Sequence, residues 1–365
     1  MTHFLRDILR QPEELERTIE YLCRPRLPAV VAAAEAIRGA RHVYLTGIGS
    51  SWHAALNVSM LFHQYAHPVY LHDAAELLAF AAFPKDSAMI IISRSGKSTE
   101  IVQLAAKARK AGVTVIGITN VPEGTLAKAA HHAIVIPIAL DHAISVSTYT
   151  TLALAAGLFA SSMTGALHSA LNASLSKAFE EAGRTILRWQ EQIAASAWLK
   201  PHSTTYFLAR GSSLGSAYEA RLMWEEGVKT PATAMGTGSF RHGPQEIVAP
   251  RAGSSQPETA HNAIRFGIWI DGAQMREQDL ALTRDLGKLG ARVMLIGQRL
   301  AQDAGDLVFQ LPAIPSEWQF LIDIIPAQLV AERLSRLSGV DCDTFRLASY
   351  VVEDEGGLLP KESKS

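Results

Sequence analysis

"HVYLTGIGSSWHAALNV" (42–58) begins as a strand and ends as a helix. A β-type run leads to Gly47 and Gly49, and from Ser50 onward the apolar residues follow helical spacing. The pattern returns at 204–220, "TTYFLARGSSLGSAYEA", where Gly211-Ser212-Ser213 repeats Gly49-Ser50-Ser51. Further on, "FGIWIDGAQMREQDLALTRDLGKLGARVMLIG" (266–297) echoes "MIIISRSGKSTEIVQLAAKARKAGVTVIGI" (89–118), and Gly290 falls where Gly112 does. Two such pairs predict an internal duplication.

The segments between them settle the fold class. "SAMIIIS" (87–93), "VTVIGITN" (113–120) and "HAIVIPI" (132–138) are short, almost wholly apolar runs separated by helical stretches. That pattern predicts parallel sheets covered on both faces, an α/β protein. The expected organisation is an N-terminal helical segment at 1–35, a first domain at 36–195, a second at 196–345 and a tail at 346–365. Each domain is expected to be a parallel sheet in an αβα sandwich.

The chain has 365 residues, 48% hydrophobic and 19% charged, which suits a globular protein with a sizeable core. With 34 basic and 35 acidic residues the net charge is −1, so no global field holds nucleic acid and any anion site is local. The two cysteines, Cys23 and Cys342, exclude a disulfide framework and a CxxC metal site, and they fit a reducing compartment. "MTHFLRDILRQPEELERTIEYL" (1–22) is charged throughout and predicts an amphipathic helix, not a signal peptide. "TLALAAGLFASSM" (151–163) is too short and too rich in Ser and Gly to span a bilayer. The expectation is a cytoplasmic protein with no nucleic-acid partner and no membrane partner.

"IIISRSGKSTE" (90–100) raises the chemical question, because three isoleucines run into Ser93, Arg94, Ser95, Gly96, Lys97 and Ser98. In a doubly wound sheet, ligands bind beyond the carboxyl ends of the strands at the topological switch point. Helix N-termini there offer free N–H groups and a positive dipole end. Ser93, Ser95 and Ser98 supply hydroxyl donors, Ser51 converges from the neighbouring loop, and Gly96 permits close backbone approach. That is a phosphate cradle. The competing reading makes Ser98 an N-cap and the other serines turn formers. Against it, the second copy carries Asp271, Ala273 and Arg276 at the matching places, whereas a purely structural turn would recur. Two other phosphate motifs fail: the P-loop would need Gly at Ile91, and the dinucleotide fingerprint would need Gly at Trp52.

A second constellation lies in "SAYEARLMWEEGVKTPATAMGTGSFRHGPQEIV" (216–248). Glu219 and Glu226, seven residues apart, are expected on one helical face. "GTGSFRHGP" (236–244) is expected to be a loop carrying Arg241 and His242. A Glu and a His beside a phosphate site are suited to moving protons on a sugar. The bland alternative makes both glutamates solvated helix charges and His242 a turn residue. His131, His132 and His142 lack any carboxylate or Cys pattern, so no metal is expected.

Together these motifs resemble the SIS (sugar isomerase) superfamily in its double-domain form. Within it the chain resembles the isomerase half of glutamine–fructose-6-phosphate aminotransferase and the AgaS-type amino-sugar-phosphate isomerase/deaminases. "ILRQPEELERTI" (8–19), "GIGSS", "SRSGKSTE" and "FRHGP" each look like a family motif. The resemblance implies two tandem, flavodoxin-like SIS domains. It implies sugar-phosphate contacts at Gly49, Ser50, Ser51, Ser93, Arg94, Ser95, Gly96 and Ser98. It implies Glu226 as the isomerisation base and His242 as the ring-opening histidine. It also implies a homodimer, with His242 reaching the neighbouring subunit's site. No metal or redox cofactor is needed for such chemistry.

Two departures stand out. Met223 and Ser349 occupy positions where the synthase has lysines, which argues against a lysine Schiff base. The chain also has no glutaminase domain and no Cys after the initiator Met, so glutamine-dependent amination is not expected. The leading expectation is a phosphosugar isomerase. A deaminase or deglycase on the same scaffold and a non-catalytic phosphosugar-binding regulator are the alternatives.

Overall fold

The protein is seen in a computed structural model that describes residues 1–248, 264–347 and 351–352. The first half runs α1 (His3–Cys23), α2 (Leu27–Ile37), β1 (His42–Thr46), α3 (Ser50–Gln64), β2 (Tyr70–Leu71) and α4 (Ala74–Phe80). It continues with β3 (Ser87–Ile92), α5 (Thr99–Lys110), β4 (Thr114–Thr119), α6 (Thr125–Ala129), β5 (His132–Val135) and α7 (Ser147–Thr164). The second half runs α8 (Ser169–Ala195), β6 (Thr205–Ala209), α9 (Leu214–Met223), β7 (Thr233–Gly236), α10 (Thr237–Phe240) and β8 (Arg265–Trp269). It ends with α11 (Arg276–Lys288), β9 (Arg292–Gly297), β10 (Leu307–Gln310) and α12 (Ile325–Leu337).

Each half builds a five-stranded, wholly parallel sheet. The orders are β2-β1-β3-β4-β5 and β7-β6-β8-β9-β10, the same winding twice. Helices cover both faces, which is why all six residues of β3 are buried and no alternation appears in its sequence. The duplication extends to backbone conformation. Gly49 and Gly211 have φ of 57° and 59°, and Gly112 and Gly290 have 78° and 86°.

The chain divides into two compact units. One comprises Arg17–His168 and the chain from Asp343; the other comprises Met1–Glu16 and Ser169–Cys342. By packing, α8 lies in the second of these units. α8 covers the second sheet: Trp189 meets Phe309 of β10 edge-on at 6.4 Å, and Gln192 Nε2 donates to the Val308 carbonyl at 3.3 Å. The first part of the opening helix, up to Glu16, joins the same unit through Gln11, whose Nε2 donates to Gln328 Oε1 of α12 at 2.7 Å.

Two local expectations change. α9 does not continue as an α-helix to Glu226; Trp224–Val228 winds as a π-helix. The 3.6-residue period behind the one-face expectation for Glu219 and Glu226 therefore does not run through to Glu226. The segment after Gly236 is not wholly loop, because Thr237–Phe240 makes one helical turn. Phe240 holds that turn, fully buried and edge-on to Phe266 at 5.4 Å. Among the described residues no helix is long and apolar enough to cross a membrane.

Candidate functional site

In the first sheet the winding reverses between β1 and β3, which is where an open α/β sheet leaves a crevice. The two serine-bearing loops leave these two strands. Gly49, left-handed, turns the chain from β1 into α3 and brings in Ser50 and Ser51. Ser51 is buried, and its hydroxyl makes no hydrogen bond among the described residues.

The loop after β3 is fixed from several sides. Ser93 N–H donates to the Ile118 carbonyl at 3.0 Å, and the Arg94 carbonyl accepts from Thr119 Oγ1 at 3.1 Å and Asn120 N–H at 3.2 Å. The Gly96 carbonyl accepts from Leu126 N–H at 3.0 Å. Gly96 has φ of 63°, a conformation glycine adopts at little cost. A side chain on Gly124 would meet the Ser95 carbonyl at 2.6 Å, so that glycine lets the loop seat.

The serines divide the work. Ser93 Oγ accepts from Gly96 N–H and Ser95 Oγ accepts from Lys97 N–H, both at 3.1 Å. To that extent the turn-former reading is right, although each hydroxyl keeps its own proton to donate. Ser98 sits at the N-cap of α5, yet its side chain makes no capping bond. The cap reading therefore leaves the Ser98 hydroxyl unexplained. Thr99 N–H, one of the first-turn donors of α5, reaches the Val352 carbonyl at 3.0 Å.

Arg94 is turned away from the turn it belongs to. Its Nη1 donates to Ser145 Oγ at 3.1 Å and to the Ala143 carbonyl at 3.2 Å. The segment it grips is itself organised by Asp141. That carboxylate accepts from Val146, Ser147 and Thr148 N–H at 2.8, 3.1 and 2.8 Å, and from Thr148 Oγ1 at 2.6 Å. This carboxylate at the start of α7 was missed by the sequence reading; the hydroxyl run "SVSTYTT" (145–151) after it was the available signal. Glu100 was missed too. It lies on the buried stripe of α5, 8% exposed, and its Oε2 has no hydrogen-bond partner.

In the other unit the matching turns are closed by carboxylates. Ser213 Oγ donates to Asp323 Oδ2 at 2.6 Å. Burial pushes the Asp323 carboxyl up to about 7, against the opposing effect of Ser213, Ser216 and Gln319. Asp271 Oδ2 accepts from Met275 N–H at 2.7 Å, and Asp271 N–H donates to Asp279 Oδ2 at 3.1 Å. Asp279 is fully buried and paired with Arg210 at 2.7 Å. Burial raises its pKa, and the Asp271 N–H and Arg210 pull it back.

The same unit carries the two proton-transfer candidates. Glu219 is fully buried, so the solvated-charge reading fails for it. Glu226 lies half-buried within the π-helical turn, and Lys229 Nζ donates to its backbone carbonyl. His242 is exposed in the turn after α10, with its N–H on the Ser239 carbonyl at 3.0 Å. Met223 is fully buried, while Ser349 lies outside the described residues. His131 Nδ1 accepts from Val115 N–H at 2.9 Å, which gives that ring a structural job. No group of three or more potential metal ligands occurs among the described residues.

Residues 36–161 match the SIS domain family. The matched stretch contains β1 to β5 and both serine loops. Over 97% of its length the chain is 27% identical to a glutamine–fructose-6-phosphate aminotransferase [isomerizing] of Pyrobaculum aerophilum, and it spans 58% of that relative. The two-sheet fold recurs in solved structures. A glucosamine-6-phosphate deaminase of Thermotoga maritima superposes with a TM-score of 0.78 at 22% identity, covering 96% of this chain and 99% of the other. A tagatose-6-phosphate ketose/aldose isomerase of Escherichia coli gives 0.77 at 19% identity, covering 94% and 95%. At these identities the structural likeness speaks for the fold alone: two parallel sheets, each covered by helices.

Proposed function

We propose that the chain is a phosphosugar isomerase that binds a hexose or hexosamine 6-phosphate through the two serine loops. The reading rests on the contrast between the duplicated turns. Ser51 and Ser98 have unspent hydroxyls, whereas Ser213 is committed to Asp323 and the Asp271 carboxylate to Met275 N–H. An anion would meet donors at the first pair of turns and carboxylates at the second. The loop of the second half around Asp271–Arg276 accordingly takes no phosphate. Ser51, Ser93, Ser95 and Ser98 donate to the phosphate oxygens, and Gly49, Ser50 and Gly96 shape the turns that present them.

Anchoring the phosphate leaves the far end of the sugar for proton transfer. Glu226 is assigned as the base that takes the proton from carbon 2 of the open-chain aldose and returns it to carbon 1 through an enediol or enolamine. His242 is assigned to ring opening, moving the anomeric hydroxyl proton toward the ring oxygen. Both assignments come from the family resemblance, as does a homodimer. Met223 is apolar and buried where the synthase has a lysine, and the missing tail lysine, with Ser349 at its place, argues against amination through a Schiff base.

The deciding experiment offers the chain a panel of hexose and hexosamine 6-phosphates and follows sugar product and ammonia together. Aldose–ketose exchange without ammonia is the expected result. Ammonia release would instead make the chain a deaminase. Binding without turnover across the panel would make it a phosphosugar-binding regulator.

A further inference from the structure

The duplicated turn has different surroundings in the two halves. Gly49 and Gly211 share the left-handed backbone, and each turn leads into a helix at the end of the first strand of its sheet. The Ser51 hydroxyl in the first copy makes no hydrogen bond among the described residues. Ser213 stands at the same place of the repeat and gives its proton to Asp323 Oδ2 at 2.6 Å. Asp323 is fully buried, just before α12, and Gln319 Nε2 approaches Ser213 Oγ at 3.5 Å.

The carboxylate fills this place incompletely. Asp323 Oδ1 and Ser216 Oγ, in the first turn of α9, are both buried and make no hydrogen bond of good geometry, although Ser216, Gln319 and Trp269 lie near enough to the carboxyl to oppose its upward pKa shift. Native structures leave few such groups, and each is costly. The immediate chain neighbours, Ile322 and Ile324, are apolar and fully buried, so packing alone gives no reason for a charge here. A buried carboxylate held by a neutral hydroxyl is an expensive way to fill space, and an apolar side chain would be cheaper. A planar two-oxygen group, at the place where the first copy is read as holding a tetrahedral one, accounts for both the bond that is made and the poorly satisfied atoms beside it.

We propose that the Gly211–Ser213 turn is a second oxyanion cradle, closed in the native chain by its own Asp323 carboxylate, so that the chain takes one phosphate and not two. The ligand class of the opened cradle is a tetrahedral oxyanion, with Ser213 and Ser216 as hydroxyl donors. The inference rests on the reading of the first turn as an anion site, and the test separates the two.

The experiment counts inorganic phosphate bound per full-length chain by equilibrium dialysis at pH 8, where Asp323 is ionised. The native chain is expected to bind one, Asp323→Ala two, and Asp323→Ala/Ser213→Ala one again. Ser95→Ala/Ser98→Ala in the native background reports on the first turn alone. If that variant still binds one phosphate, the first-turn reading fails, while the gain in Asp323→Ala still decides the second. Where Asp323→Ala folds poorly, melting replaces counting. Phosphate should then raise its melting temperature more than that of the native chain, and Ser213→Ala should cancel the excess. A native chain that binds two phosphates, or Asp323→Ala with neither a second phosphate nor an excess rise, overturns the proposal. So does a variant that stays unfolded at saturating phosphate, since an emptied cradle would be refilled by the added anion.

Discussion

Arg94 sits between two serines of the loop after β3, yet its guanidinium donates to the hydroxyl of Ser145, 51 residues along the chain, at 3.1 Å. A second bond, to the Ala143 carbonyl at 3.2 Å, makes the contact a clamp on the segment before α7. Arg94 thus ties the serine loop to the segment that Asp141 organises. Arg94→Ala should destabilise the fold by about 1–3 kcal/mol, the worth of hydrogen bonds to a charged group. Urea unfolding measures this. Unchanged stability with lost phosphate affinity would return Arg94 to the role of direct phosphate ligand.

Ser98 and Ser93 should separate binding from stability. The Ser98 hydroxyl makes no capping bond, so Ser98→Ala should leave the unfolding midpoint unmoved while weakening sugar-phosphate binding. Ser93 Oγ holds Gly96 N–H, so Ser93→Ala should lower stability by roughly 1 kcal/mol as well as affinity. The Ser95→Ala/Ser98→Ala pair should cost a few kcal/mol of binding, on the order of two charge-assisted bonds. Calorimetry on the three variants checks the pattern. Equal affinity in the double variant and the native chain would remove the serines from the site.

Much of this was legible in the sequence for an identifiable reason. A strand buried on both faces has to be apolar along its length, and a helix must end before the next strand, so "SAMIII" and "TVIGIT" could hardly be anything else. The glycines of the two Gly-Ser-Ser turns marked left-handed backbone in both copies, φ 57° and 59°. What stayed hidden depends on tertiary packing. Nothing local tells that α8 covers β10, because an amphipathic stripe does not name its partner. The π-helical turn at Trp224–Val228 has no sequence signature, and it broke the expectation that spacing puts Glu219 and Glu226 on one face. Asp323 and Asp141 read as ordinary surface carboxylates until the fold buries them against Ser213 and the start of α7.

Asp323 should give the fold an unusual pH dependence. Its carboxyl is pushed up by burial from 3.8 to about 7. Between those values the folded chain binds more protons at this group than the unfolded chain does. Its contribution therefore falls as pH rises through that window, and the loss is complete above about 7. At roughly 1.4 kcal/mol per pH unit, the total is of the order of a few kcal/mol. Asp323→Asn keeps an acceptor for Ser213 and does not titrate. Its stability relative to the native chain should rise from pH 5 to pH 8, read from urea midpoints. A constant difference across that range would refute the buried-carboxyl account.

The proposed chemistry stands or falls on Glu226 and His242, which have different jobs and should fail differently. Glu226 is half-buried, its turn held by the bond from Lys229 to its carbonyl, so a side-chain change should leave the backbone in place. Glu226→Gln removes the base and preserves the size. Loss of a general base typically costs about a hundred- to ten-thousand-fold in rate, so turnover should drop by that order while sugar-phosphate affinity holds. His242 is exposed and assigned only to opening the ring. His242→Ala should slow a cyclic hexose 6-phosphate markedly and a shortened open-chain analogue little. Equal slowing of both would take ring opening away from His242. Full activity in Glu226→Gln would move the search for the base to Glu219, the buried carboxylate of α9.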